Sequence, residues 1–407
     1  MTTRPKTDRF ALFRHAGYLR YWIALILTGF AFQMQTVAIG WQVYDLTRNP
    51  LDLGLVGLSQ FLPALLLVLV TGAVADRYPR RRILGVCLIV QAICAAGFVW
   101  LSNAGLTGAW PIFGLLVVFG GARAFYNPAR QAIVPNLVPA EDLPRAIALN
   151  MTSGQVATIC GPVAGGLLYG IAPSAAYGAT LAFLLASGVL VLGIPKPAQR
   201  RPAAYTNWSV ISGGFRYIWS EKVVLGAISL DLFAVLLGGA MALLPVYARD
   251  ILEVGPAGLG MLRSASAVGA ICVGAFLIAR PVRDHAGRIM FAAVIAFGLF
   301  TLVFSLSQTL WISVAALVCM GAADMVSVNI RGTLVQIWTP DDLRGRVNAV
   351  NQVFIGASNE VGGFRAGTMA ALIGPVAAVA VGALGTLAVA GLWMRAFPQL
   401  RRIRSLT

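Results

Sequence analysis

The chain has 407 residues, of which 58% are hydrophobic and only 11% are charged, and its mean hydropathy is +0.79. Since soluble domains carry about 25% charged residues, this composition excludes an ordinary soluble protein and indicates an integral membrane protein. The net charge of +16 does not indicate nucleic-acid binding, because the basic residues are scattered between apolar stretches and form no single patch.

Twelve apolar stretches are long enough to cross a membrane as helices, since a bilayer core of about 30 Å needs about 20 residues. Strands are not expected, because the stretches are uniformly apolar and do not alternate. The predicted spans cover residues 20–44, 53–75, 83–102, 109–130, 146–170, 174–194, 223–247, 257–279, 287–306, 310–331, 346–370 and 375–395. The sequence therefore predicts an all-α integral membrane protein with 12 transmembrane helices.

The distribution of basic residues predicts the orientation. Most of the 31 Lys and Arg residues fall at the two termini or in every second connection between spans, beginning with the connection after span two. Such residues accumulate on the cytoplasmic side. The first span is too long for a signal-peptide core and is expected to remain. We therefore expect a multi-pass protein of the bacterial cytoplasmic membrane with both termini in the cytoplasm.

The longest interruption of the apolar pattern, residues 196–222, divides the chain into a first bundle at 1–195 and a second at 223–407. Its second part combines aromatic and aliphatic residues that predict an amphipathic helix on the membrane surface. The bundles are related, because one constant shift aligns Arg130 with Arg331, Pro139 with Pro340, Arg145 with Arg346, Asn150 with Asn351 and Gly161 with Gly362. Two six-helix pseudo-repeats are typical of transporters whose halves rock about a central site.

A dense charge signature follows the second span. It comprises Gly72, Asp76, Arg77, Arg80 and Arg81. The arginines define topology, and an acid at a helix end can accept hydrogen bonds from the first turn of another helix. We expect Gly72 and Asp76 to dock near Gly345 and Arg346, at the start of span eleven, when the protein faces outward.

These residues resemble a known family. The pattern Gly72-x-x-x-Asp76-Arg77-x-x-Arg80-Arg81 is similar to the loop signature of the major facilitator superfamily, with Pro79 where a glycine is usual. Gly161, Pro162, Gly165 and Gly166 resemble its antiporter motif, which is associated with export. Segments 125–130, 138–143, 323–327, 345–351 and 358–361 resemble enterobactin exporters and macrolide efflux proteins. The resemblance implies proton-coupled export of a small hydrophobic or amphipathic molecule, such as a siderophore or macrolide.

Ionisable residues inside a membrane are functional candidates, because insertion of each costs at least about 2.5 kcal/mol. The candidates for proton coupling are Asp231, Glu360, Asp324, Arg123 and Arg365. Glu360 and Asp231 are the preferred proton carriers, and a structural ion pair is the alternative for each. The resemblance links a fourth-helix arginine, here Arg123, to proton coupling. The matched residues Arg130 and Arg331 are interpreted as gate or topology residues.

The candidate lining of a substrate cavity consists of polar and aromatic residues, for which ordinary helix packing is the alternative. These residues are Gln33, Tyr126, Phe233, Asn351 and Asn359. Arg123 and Arg365 would suit an anionic siderophore, whereas Asp231 and Glu360 would suit a cationic drug. The sequence alone leaves the substrate open.

Several classes are disfavoured. No phosphate-binding GxxxxGK[ST] loop is present, so an ion gradient, the membrane potential or the substrate's own gradient must drive transport. No nucleophile–base set or metal cluster is apparent, so we expect no enzyme, cofactor or metal. The expected partners are the small molecule, protons and membrane lipids, and the chain is expected to act as a monomer. The alternatives are a lipid or lysophospholipid flippase and a non-transporting membrane sensor or scaffold.

Overall fold

The computed structural model describes residues 11–105, 107–195 and 208–404. Its first six long helices are α1 (Ala16–Thr47), α2 (Pro50–Arg77), α3 (Arg80–Asn103), α4 (Trp110–Ile133), α5 (Leu143–Ile171) and α6 (Pro173–Leu192). The later helices are α7 (Trp208–Ser220), α8 (Lys222–Gly238), α9 (Leu244–Val246), α10 (Gly255–Ala279), α11 (Ala286–Leu306), α12 (Leu310–Trp338), α13 (Arg344–Ile373), α14 (Pro375–Ala396) and α15 (Pro398–Arg402).

The helices confirm the predicted set of twelve membrane spans. Eleven helical segments of the described chain are long and apolar enough to cross a membrane, counting α8 and α9 with their connections as one. The twelfth is α13, which is 30 residues long. Polar and charged residues, among them Asn351, Asn359, Glu360 and Arg365, lower its hydropathy.

The helix ends follow local sequence. Prolines occupy the first turn of α2, α4, α5, α6 and α14. The fixed φ of proline suits the start of a helix, and N–H groups in the first turn make no intrahelical hydrogen bond, so proline loses none there. Asn49 caps α2, and its side-chain oxygen accepts a hydrogen bond from the Leu51 N–H at 3.1 Å. Tight connections of this kind make neighbouring helices antiparallel.

The two ends of the bundle differ in charge. We call the end where α2 passes to α3 the basic end, because Arg77, Arg80, Arg81 and Arg82 lie there. We call the opposite end, where α1 passes to α2, the far end. Helices α1–α6 form the first half of the protein, and helices α8–α14 form the second half.

The two halves repeat one packing pattern. In the first half α1 packs against α5 and α6, α2 against α4, and α3 against α4 and α6. In the second half α8 packs against α13 and α14, α10 against α12, and α11 against α12 and α14. Each of these five contacts in one half has its counterpart in the other, so the pseudo-repeat predicted from the aligned residues is present in three dimensions.

Two equivalent interfaces join the halves, one between α5 and α10 and the other between α2 and α13. Gly166 lies against the Pro256 carbonyl in the first interface, where a Cβ would collide with that oxygen. In the second, a Cβ at Gly367 would lie 2.6 Å from the Pro50 carbonyl oxygen. Glycines at matched positions therefore let backbones of opposite halves touch.

The seventh predicted span differs from one continuous helix. Helix α8 ends at Gly238, and Gly239 adopts a left-handed φ of 47°. A 3₁₀ turn (Ala240–Leu243), α9 and a π-turn (Tyr247–Ile251) complete the span. A residue without a Cβ adopts this φ at little cost, so the paired glycines provide the break.

Helix α7 precedes the second half and packs against α13 at the basic end. Its Tyr217 hydroxyl donates a hydrogen bond to the Trp338 carbonyl. A Cβ at Gly214 would lie 2.7 Å from the Arg346 carbonyl oxygen. The first part of the predicted linker, residues 196–207, lies outside the described residues.

Candidate functional site

The far end is held closed by polar contacts between the halves. Arg48 Nη1 lies 3.0 Å from Asp250 Oδ1, and the Tyr44 hydroxyl donates to the same carboxylate. Arg249 forms an ion pair with Asp45. These contacts join the end of α1 to the π-turn after α9, so they hold the two halves together at the far end.

A second contact between the halves lies nearer the middle. The Ser264 hydroxyl of α10 donates a 2.5 Å hydrogen bond to the Ile159 carbonyl of α5. Within the described ranges, the hydrogen bonds and ion pairs between the halves lie in the far half of the bundle. Toward the basic end there is open space beside α5 and α13, since a Cβ added at Gly154 of α5 or at Gly345 of α13 would meet no described atom within 4 Å.

A cavity of about 690 Å³ lies in this open region beside α5. Its volume is within the range of about 300–1,000 Å³ that is usual for small-molecule sites. It reaches the basic end at Val134, Pro135 and Leu143, in the connection between α4 and α5. All of its described lining belongs to the first half, on α1, α4, α5 and that connection. Its polar and aromatic lining residues are Tyr21, Thr28, Phe32, Gln33, Thr36, Arg123, Tyr126, Asn127, Arg130, Gln131, Asn150, Gln155 and Thr158.

The charge of this lining is positive. Among the described lining residues, Arg123 and Arg130 carry charge and none is a carboxylate. The Arg123 guanidinium lies over the Phe32 ring, 5.4 Å from its centroid, which is a cation–π contact. The Arg130 Nε is buried and has no hydrogen-bond partner among the described residues. Arg123, which is exposed and makes no hydrogen bond to a described residue, therefore has donors available to a ligand, and Arg130 adds positive charge beside it.

Glu360 lies at the boundary between the halves. Its carboxylate occupies the space beside Gly57 of α2, where a Cβ would collide with it. The charges of Arg123 in the first half and Arg263 in the second both attract it, although neither forms an ion pair within 4.0 Å in the described chain. The predicted proton carrier and the predicted coupling arginine thus lie in one mid-membrane cluster that spans both halves.

Asp231 has a different environment. It is 7% exposed and forms an ion pair with Arg331, which is 5% exposed. Asp324 and Ser327 of α12 border the same small cavity as Asp231. This cluster lies wholly within the second half and away from the large cavity. The ion-pair alternative considered for Asp231 is therefore the arrangement in this structure, and Arg331 is its partner.

Arg365 closes the break in the seventh span. Its Nε donates to the Leu236 carbonyl at 3.0 Å, and its Nη2 donates to the Leu237 carbonyl. Its Nη1 lies 2.9 Å from the Met369 sulfur. The carbonyls at the end of α8 have lost their intrahelical partners, so this guanidinium supplies the donors they need.

The predicted cavity residues separate into two groups. Gln33 and Tyr126 line the cavity, and Gln33 Nε2 lies 3.3 Å from the Thr158 hydroxyl. Phe233, Asn351 and Asn359 do not line it. The Phe233 ring packs on Trp393 with centroids 5.2 Å apart, and Asn359 donates to the Ile355 carbonyl of its own helix at 2.8 Å.

Several lining residues were missed by sequence reasoning, although they follow helical spacing. On α4, the missed residues Asn127 and Gln131 follow Arg123, which was predicted from the sequence, at intervals of four residues and share its face. On α5, Asn150, Gly154 and Thr158 also recur every four residues and share one face. A search for polar stripes at this spacing in otherwise apolar spans would have found both walls.

Two arginines of the loop signature form hydrogen bonds within the first half in this structure. Arg80 Nη1 donates to the Ala132 carbonyl at 2.6 Å, and Arg81 donates to the Leu192 carbonyl. The two arginines therefore bind the carboxyl ends of α4 and α6, where a positive charge is favourable. Arg77 is exposed, and Gly72 is half-buried in α2. The Asp76 side chain lies outside the described residues.

The residues predicted to receive the latch lie at the start of α13. Arg346 lies against α7, with its Nη1 3.2 Å from the position of a Cβ on Gly213. A Cβ added to its neighbour Gly345 would meet no described atom within 4 Å. The latch with Gly72 and Asp76 stays a prediction for the outward-facing state.

The antiporter-like motif provides close helix packing. A Cβ at Gly161 would lie 2.6 Å from the Gln33 Cβ, and one at Gly165 would lie 2.6 Å from the Met34 Cα. The Pro162 carbonyl lies against Gly260 of α10. The motif therefore brings α5 against α1 on one side and against the other half on the other.

Two six-helix halves of one packing pattern, with a cavity that reaches one end of the bundle, are the architecture of a membrane transport protein of the secondary type. The family described as "Transmembrane secretion effector" matches residues 7–405, and the chain belongs to this family of the major facilitator superfamily. The resemblance stated from the sequence motifs is thereby confirmed, and the protein is not an enzyme.

Similar proteins agree with this assignment. The enterobactin exporter EntS of Escherichia coli O127:H6 (strain E2348/69 / EPEC) is 26% identical over 413 residues, which cover 96% of this chain and 94% of that protein. A mutant of the nucleoside transporter NupG superposes with a TM-score of 0.74 at 15% identity, covering 94% of this chain and all of that one. A bacterial homologue of the iron transporter ferroportin, described as inward-facing, has a TM-score of 0.71 at 14% identity and covers 97% of this chain and 100% of that one.

Proposed function

We propose that the protein exports a small molecule from the bacterial cytoplasm by alternating access. The basic end faces the cytoplasm in this proposal, because Lys and Arg residues accumulate on that side of a membrane. The structure then corresponds to an inward-open state, with a cavity open to the cytoplasm and a far end held by Asp250 and Arg249. Both termini are cytoplasmic, and one chain forms the complete transport unit.

The substrate that this cavity favours carries an anionic group. The observation that supports this is the lining itself, with Arg123 and Arg130 and no carboxylate among its described residues. Aromatic rings of Tyr21, Phe32 and Tyr126 provide surface for an aromatic or apolar part of the molecule. A siderophore fits this description better than a cationic macrolide, and the similarity to enterobactin exporters agrees with that choice.

Proton coupling is proposed to act through Glu360. Its carboxylate is the acid between the halves, and it is attracted by Arg123 of the cavity wall and by Arg263. A proton that neutralises Glu360 removes its attraction to both arginines, so protonation and the relative position of the halves are linked. Entry of one proton supplies about 2.3 kcal/mol per 100 mV of membrane potential.

The other charged residues receive supporting roles. We propose that Asp231 and Arg331 hold α8 and α12 together and that Asp324, beside them, is a second titratable site. Residues 1–195 and 223–407 are proposed as the two moving units, and 196–222 as their connection. Gly72 and Asp76 would close the basic end against α13 in the outward-facing state.

Inverted membrane vesicles test this proposal. Vesicles that contain the protein should accumulate iron-free enterobactin when respiration acidifies their lumen, and a cationic macrolide should not accumulate. Arg123→Gln should reduce the initial uptake rate by about tenfold, since it removes a charge-assisted contact. Arg395→Gln, at an exposed position at the end of α14, is the matched control and should leave uptake unchanged.

The coupling part has its own test in the same vesicles. Glu360→Gln should retain enterobactin binding but lose the acceleration of uptake by an imposed pH gradient. Undiminished acceleration in this variant would exclude Glu360 as the coupling residue. Macrolide uptake that exceeds enterobactin uptake would exclude the anionic substrate, and movement of a fluorescent phospholipid without uptake of either would favour a flippase.

A further inference from the structure

The C-terminal segment folds back onto the start of α11 at the basic end. The carbonyl of Ile403 accepts a hydrogen bond from the Gly287 N–H at 3.2 Å, and the carbonyl of Arg404 accepts one from the Ala286 N–H at 3.3 Å. Leu400 is fully buried, and a Cβ at Gly287 would collide with the Leu400 carbonyl oxygen. These contacts fix the position of the segment relative to α11.

The docked segment encloses a cavity of about 390 Å³ that is separate from the transport cavity. Its lining consists of His285, Arg288, Arg401, Arg402, Ile403 and Arg404. Four arginines and a histidine thus line one space at the surface, and no carboxylate of the described chain lines it. Asp284 is adjacent in sequence but does not contribute to the lining.

No described carboxylate neutralises this cluster. The ion pairs within 4.0 Å that the structure describes involve other arginines. The amino end of α11 adds the partial positive charge of a helix dipole at the same place. Like charges that share one cavity repel, so an anion bound among these four arginines would stabilise the docked segment.

The chemistry of the cluster specifies the anion. Guanidinium groups present planar pairs of N–H donors that match the oxygens of a phosphate, and several of them can bind one phosphate together. The cavity lies where α11 leaves the apolar part of the bundle. Ile278, the penultimate residue of the preceding helix α10, is 87% exposed and offers apolar surface at the same end of the bundle. A ligand with a phosphate and an acyl chain suits both features.

We propose that this cavity binds the phosphate of an anionic phospholipid headgroup. A lipid is favoured over free phosphate because basic pockets at the cytoplasmic ends of membrane helices lie at the level of lipid headgroups. The bound lipid would hold the C-terminal segment, α11 and the membrane surface together. The lipid site is independent of the transported molecule, since none of the residues that line the transport cavity contributes to it.

Thermal unfolding of the purified protein in detergent tests the proposal. Cardiolipin and phosphatidylglycerol should raise the unfolding temperature, and phosphatidylcholine should not. In the double variant Arg401→Gln/Arg402→Gln, about tenfold more cardiolipin should be needed for the half-maximal rise, because two charge-assisted contacts are lost. The double variant Arg77→Gln/Arg82→Gln is the matched control, since both residues are exposed at the same end but outside the cavity.

Three results would overturn the proposal. The first is an equal cardiolipin response in the two double variants, which would mean that any basic residues at this end suffice. The second is a rise with phosphatidylcholine that equals the rise with cardiolipin. The third is a full rise with inorganic phosphate alone, which would identify the ligand as free phosphate. Gly287→Ala provides a further check, because it displaces the segment while all four arginines remain, and it should also weaken the cardiolipin response.

Discussion

Replacing Arg365 with methionine removes the two donors that close the broken end of α8. The guanidinium serves the carbonyls of Leu236 and Leu237, which the left-handed Gly239 has separated from any helical partner. Methionine has a similar length and packs equally well, but it donates nothing. Both carbonyls would then lack a partner inside the bundle.

The expected cost follows from these two hydrogen bonds. A hydrogen bond from a charged donor contributes about 1.5 kcal/mol or more to the free energy of unfolding, so the loss of both lowers that free energy by about 3 kcal/mol. For a chain of this size, with an unfolding entropy of about 2.1 cal/mol/K per residue, such a loss lowers the unfolding temperature by about 3.5 °C. Arg365→Lys keeps the charge but not the forked geometry, so it should lose roughly half as much.

Thermal unfolding in detergent, measured by intrinsic fluorescence, checks this expectation. Arg280→Met is the control, because Arg280 is exposed at the end of α10 and makes no side-chain contact of this kind with the described residues. The reasoning would be refuted if Arg365→Met unfolded at the wild-type temperature and lost only proton-coupled uptake. That outcome would return Arg365 to the coupling role first considered for it.

Two further predictions concern ion pairs. Asp250→Ala removes the ion pair with Arg48 and the hydrogen-bond acceptor of Tyr44, so opening of the far end should become more favourable by about 1.5 kcal/mol, a roughly tenfold change in the open population. Spin-label distances across the far end measure that population. Asp52→Ala, which removes no described ion pair, is the control. Asp231→Leu leaves Arg331 buried and unpaired and should cost about 3–5 kcal/mol of stability in thermal unfolding. Adding Arg331→Met should restore most of it, and no restoration would contradict an ion pair as the reason.

The spans and the repeat could be predicted because their signals are local. Membrane helices need only length and apolarity, and the repeat is visible as matched residues such as Arg130 and Arg331. The break after α8 could not be predicted in the same way. Gly238 and Gly239 in an apolar run are compatible with a continuous helix, and only the distant Arg365 makes the break stable.

The site was predicted in part for a related reason. Charge inside the membrane singled out Arg123 and Glu360, which the structure places in one cluster. The rotation of each helix about its axis is set by packing with its neighbours, and the sequence does not specify it. Phe233 and Asn359 were expected on the cavity wall, but the rotation of their helices turns them elsewhere. In the structure the Phe233 ring contacts Trp393, and Asn359 donates to the Ile355 carbonyl.

The transport cavity has described walls from one half only, on α1, α4 and α5. The second half supplies the acid at the boundary and the partner surfaces at the far end. Under the proposed mechanism, the cargo-binding wall and the proton-carrying acid therefore lie on different helices, and Arg123 of α4 is the residue that links them. Substitutions in α1 and α5 could then change the cargo while the cluster of Arg123 and Glu360 is kept.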